Sequence, residues 1–65
     1  MKLITSPNIA EADGIYETLI ALHAGRSEED SMVVNARLIL LLINHIGDVE
    51  AVEEAIRHAS GKEDL

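Results

Sequence analysis

Apolar positions along this chain fall into three blocks divided by glycine-centred breaks, and each block repeats with the period of a helix rather than a strand. The longest, SEEDSMVVNARLILLLINHIG from Ser27 to Gly47, carries six large aliphatic residues in succession from Leu38 to Ile43. Its ends are well marked. Ser27 is placed to accept from a first-turn N–H, Glu28, Glu29 and Asp30 suit the positive end of the helix dipole, and Asp30 stands where a capping-box Glu would. Gly47 suits the left-handed residue that closes a helix.

Placed on a wheel at about 100° per residue, this central helix is apolar nearly all round. Leu38, Leu42, Ile46, Ile39, Met32, Ile43, Ala36, Leu40 and Val33 make one broad arc. Leu41 and Val34 lie beyond a polar strip, made by Asn44, Arg37 and Asp30, that covers only about 40°. A helix of this kind has to be covered on most sides. It does not span a membrane, because the uncharged run Leu38–Ile46 is far short of the about 20 residues a bilayer demands.

The flanking blocks are conventional amphipathic helices. The first is expected from Ile9 to Ala24, capped by Ser6 with Pro7 at the first position, or by Asn8 with Glu11 three residues on. Ile9, Ala12, Ile15, Tyr16, Leu19, Ile20, Leu22 and His23 share its apolar face, and Gly25 stops it. Gly14 sits on its polar side, at a cost of about 1 kcal/mol relative to alanine. The short link to Ser27 implies an antiparallel helix hairpin. The third helix is expected from Val49 to Ala59, capped by Asp48, with Val49, Val52, Ala55, Ile56 and Ala59 as its stripe and Ser60-Gly61 as its end. Residues 1–6 and 61–65 are expected to be loose, the latter ending in an acidic tail from Lys62 to Leu65. The fold class is therefore all-α: one domain over residues 1–65, with a long central helix, a hairpin partner and a third helix.

Size and charge sharpen this picture. A chain of 65 residues with no cysteine has no disulfide to staple it, and so small a core seldom supplies more than about 3–5 kcal/mol. Two amphipathic neighbours cover about half of the central helix at ordinary packing distances. Leaving the remaining aliphatics in water forfeits roughly 1.5–3 kcal/mol each. A homodimeric helical bundle is the expected solution, with Val34, Leu38, Leu41, Leu42 and His45 contributing to the interface. The net charge of −7, from twelve acids and five bases, opposes nucleic acid and anionic membranes as partners. The helix–Gly–helix pattern around Gly47 resembles a helix-turn-helix, but Glu50, Glu53 and Glu54 crowd the start of the would-be recognition helix. Met1 to Ile4 offers no hydrophobic region for export, so cytoplasm is the expected location.

Candidate chemistry is sparse. His23, His45 and His58 fall on three different helices, with no HxxxH or HExxH spacing to set two ligands on one face, so no metal and no cofactor are expected. No nucleophile–base pair, phosphate loop or carboxylate dyad stands out, and the chain is not expected to be an enzyme. Three polar residues fall on apolar faces and are expected to be buried: His23, bonded to a backbone or hydroxyl partner; Tyr16, near it; and Asn35. Asn35 finds its partner either within its own chain or in its own copy across a two-fold axis. Arg37 has no acid three or four residues away, so it is either solvated or paired with another helix or chain.

The blocks Tyr16 with Leu19, His23-Ala24-Gly25-Arg26-Ser27, Asn35-Ala36-Arg37-Leu38, Leu40-Leu41-Leu42 and Asn44-His45-Ile46-Gly47-Asp48 resemble a family of small bacterial helical domains of unknown function. The resemblance runs from about Gly14 to Ile56. It implies a short all-helical protein without an established activity. Related genes near oxidoreductases of aromatic catabolism would imply an accessory role. Ile15 stands where relatives often carry an aromatic, so a role for an aromatic pair does not carry over. Two functional classes follow: a homo-oligomeric interaction or regulatory module, or a small accessory subunit of a larger enzyme, such as an oxidoreductase.

Overall fold

The structure, a computed structural model, describes residues 1–61. The described residues form three helices and no strand: α1 (Ala12–His23), α2 (Glu28–Ile46) and α3 (Val49–Ala59). The acidic tail expected over 62–65 lies outside them. None of the helices is long and apolar enough to cross a membrane.

Local chemistry sets the bounds of α2 and α3. Ser27 Oγ accepts from the Asp30 N–H at 3.1 Å, and Gly47, at φ 64°, donates back to the Ile43 carbonyl at 3.0 Å. Asp48 Oδ1 accepts from the Ala51 N–H at 3.0 Å to open α3. Asp30 does only half of what a capping-box acid does. Its carboxylate turns away to Arg26, whose Nη1 donates to it at 2.6 Å while Nε donates to the Leu22 carbonyl at 2.6 Å. Arg26 thus ties the last turn of α1 to the first turn of α2, across a link that turns on Gly25 at φ 77°.

α1 is shorter than its pattern predicts. It begins at Ala12 rather than Ile9, and neither Ser6 nor Asn8 caps it; Glu11 holds the cap position without a side-chain bond. An extra helical turn is worth forming when its apolar side chain finds a surface to cover, and Ile9 is exposed. At Gly14 an added Cβ would meet nothing nearer than the Glu11 carboxylate at 4.0 Å. Gly14→Ala should therefore raise stability by about 1 kcal/mol, read as a higher urea midpoint at fixed protein concentration.

The main departure from expectation is packing. No two helices run at close backbone approach along their length, and Ala51, at 5% exposure, is the one buried residue among those described. Met32, Ile39, Ile43 and Ala36 belong to the broad apolar arc of α2, about half of whose circumference two amphipathic neighbours could cover. Instead Met32 is 71% exposed, Ile39 and Ala36 are exposed, and Ile43 is half-buried. Val49, assigned to the apolar stripe of α3, faces outward, while Ala51 is buried and lines a groove shared with α2 and residues 1–4. The chain exposes 5791 Å² of surface, against about 4,100 Å² for a folded monomer of its mass. Its radius of gyration is 13.5 Å, against about 10.8 Å for a compact domain of this length.

Candidate interaction surface

Apolar surface dominates what this chain presents. The C-terminal half of α2 and one face of α3 line a groove of about 480 Å³, with Ile39, Leu42 and Ile43 from α2 and Ala51, Ala55 and Ile56 from α3. Residues 1–4 line one side of it. Residues 1–6 were expected to be loose, but Leu3 is half-buried there and the Met1 ammonium donates to Asp48 Oδ2 at 2.8 Å. Asp48 therefore spends one oxygen on the α3 cap and the other on the chain's first residue.

Those bonds shift both groups. The ammonium donor, then the Ala51 N–H, hold the Asp48 carboxyl below its ordinary value, and the bond to Asp48 raises the Met1 ammonium above its own. The stabilisation tied to Asp48 is fully present above the ordinary carboxylate range and is lost as pH falls through the depressed value. That tied to Met1 is present below the ordinary amine range and is lost as pH rises through the raised one. On acidification the unmodified chain should lose more stability than Asp48→Asn, measured by urea midpoints at neutral pH and near pH 3.

A second apolar strip runs along α1 through Tyr16, Leu19 and Ile20 to His23. Tyr16 was expected to be buried; it is 65% exposed, because nothing among the described residues lies over that side of α1. At the C-terminal end of the strip, His23 is half-buried and bonded on both ring nitrogens. Nδ1 lies 2.9 Å from Ser31 Oγ and Nε2 lies 3.0 Å from Asn35 Oδ1. Asn35 Oδ1 can only accept, so Nε2 carries a proton and donates; in the neutral ring Nδ1 then accepts from the Ser31 hydroxyl. Asn35 finds its partner within its own chain, in the ring of His23, and is exposed rather than buried.

This trio is a latch between helices. The Ser31–His23 distance is that of a nucleophile and its base, but the Ser31 N–H is already given to the Ser27 carbonyl at 2.9 Å. A double-mutant cycle of His23→Ala and Asn35→Ala should return a coupling of about 0.5–1.5 kcal/mol; additive losses would mean that the bond contributes nothing.

The other expected site residues are scattered over α2. Val34 and Leu38 are half-buried, and Leu41, Leu42 and His45 are exposed, with Leu42 alone of the five on the groove. Arg37 is exposed and has no carboxylate at ion-pair distance among the described residues. No group of three or more His, Asp or Glu among those residues is placed to hold a metal ion. Sequence reasoning set Ala55 and Ala59 on the stripe of α3 but missed Ala51, which lines the groove with them, although the spacing of four was there to be read. The Met1–Asp48 pair had no sequence signal at all.

Fold and surface together define a small all-helical chain whose distinguishing feature is an uncovered apolar face. The chain belongs to the family described as a protein of unknown function (DUF2783), whose profile matches residues 3–61. The match takes in the N-terminal segment as well as all three helices. Neither the curated proteins nor the solved structures gave a match.

Proposed function

We propose that this protein is a homodimeric interaction module of the cytoplasm, without catalytic activity of its own, whose finished fold is the pair of chains. One observation carries the reading: the large apolar surface that a single chain leaves in water. Relative to a folded monomer of the same mass the excess is about 1,700 Å². A standard interface takes about 800 Å² per partner, and obligate dimers take more and are more apolar. In the dimer α1 and α2 form an antiparallel hairpin whose open side the second copy closes. The α2 helices meet across the two-fold axis through Val34, Leu38, Leu41, Leu42 and His45, and Arg37 takes its carboxylate from the partner chain.

Sedimentation equilibrium at micromolar concentration tests this. A mass of twice 7.1 kDa is expected, together with a melting temperature that rises with protein concentration. A clean monomer at high micromolar concentration overturns the reading. Recovery from the native host bound at fixed stoichiometry to a larger enzyme would assign the same face to an accessory-subunit role.

A further inference from the structure

We infer that each chain seats the apolar strip of its α1 in the α2–α3 groove of the other, so that the groove is complete only when a second copy supplies the helix that fills it. The inference rests on the dimer reading and names which surfaces meet.

Two uncovered surfaces on one chain match in chemistry and in length. The groove is built from Ile39 to Ile46 on α2 and from Ala51 to Ala59 on α3, with residues 1–4 along one side; its two helical segments are about 11–12 Å long at 1.5 Å per residue. The strip on α1 reaches from Ile15 to His23, about 12 Å. The groove lining is almost wholly aliphatic, and the strip is apolar as far as His23: Ile15, Tyr16, Leu19 and Ile20 are all exposed. Aliphatic walls have no polar group to satisfy, which suits Leu and Ile. Tyr16, further along the strip, can keep its hydroxyl in water at the groove's mouth.

The strip does not reach the groove of its own chain. The latch from His23 to Ser31 and Asn35, with the Arg26 tie to Leu22 and Asp30, anchors α1 to the N-terminal half of α2. The groove lies on the C-terminal half. Away from that anchor α1 stands clear of α2, presenting its strip outward as an arm. A two-fold axis makes the exchange reciprocal, two strips for two grooves. Two such seats, with the α2 contact between them, account for an interface of the obligate size.

The chain has no cysteine, so introduced thiols report position without background. Ile20→Cys and Ile56→Cys are made as separate variants, unfolded together, refolded as a mixture and treated with a short thiol–thiol cross-linker. The expected product is a covalent heterodimer joining one variant to the other, at least tenfold in excess over either homodimer. Leu19→Cys with Ile46→Cys repeats the test at a second point, and circular dichroism establishes that each variant is helical. If Ile56→Cys alone cross-links to itself while the mixture gives no excess of heterodimer, groove meets groove and the seating is wrong. If both mixtures fail although sedimentation reports a dimer, the seating is likewise overturned while the dimer stands. If sedimentation reports a monomer, both fall together.

Discussion

Leu41→Lys is expected to turn the dimer into a monomer and to lower the helix content that survives dilution. Leu41 is 69% exposed in the single chain and lies away from the α2–α3 groove, so nothing within one protomer should suffer from the change. Burying a leucine is worth roughly 1.5–3 kcal/mol. A residue near a two-fold axis enters the interface once from each chain, so the loss is about 3–6 kcal/mol per dimer, or two to four powers of ten in Kd. The two lysines would also face each other as like charges. Sedimentation equilibrium across a hundredfold range of concentration measures the shift. An unchanged association constant would remove Leu41, and the α2–α2 contact with it, from the interface.

Ala51→Leu is expected to be the most damaging substitution outside that contact. Ala51 is the described residue most fully enclosed by its own chain, at the base of the groove and in the first turn of α3. Adding methylene groups to a filled site costs about 1–3 kcal/mol through displaced neighbours. Ala51 shares the groove with Leu3, Ile43 and Val52, so a larger side chain there would displace its neighbours and change the groove's width. Urea midpoints at one fixed protein concentration give the loss. Val49→Leu, at an exposed position two residues earlier, should stay within about 0.5 kcal/mol. If Ala51→Leu behaves like that control, α3 does not pack on α2 as described.

What could be read from the residues was what neighbouring residues decide between themselves. Ser27 and Asp48 cap because their oxygens reach an N–H three positions on, and Gly47 stops α2 because it accepts a positive φ. The family resemblance was legible for the same reason, being carried by short contiguous blocks. Tyr16 and Asn35 show where such reading stops. Periodicity tells which face of a helix is apolar; it does not tell whether anything in the same chain lies over that face. The meeting of His23 with Ser31 and Asn35 depends on the angle at which two helices leave the Gly25 turn, and no spacing rule contains that angle. The start of α1 was misplaced for a related reason: Ile9 fits the helical pattern but has nothing to pack on.

The scarcity of contacts between helices also bears on how long each amide proton survives in heavy water. An isolated helix shorter than about 12–15 residues is marginal in water, and α1 and α3 have 12 and 11 residues. α2, with 19, is the one long enough to hold its hydrogen bonds unaided. In a dilute sample protection against exchange should persist longest in the middle of α2, vanish first at the N-terminal end of α1, and linger next to His23 and Arg26, where that helix is tied down.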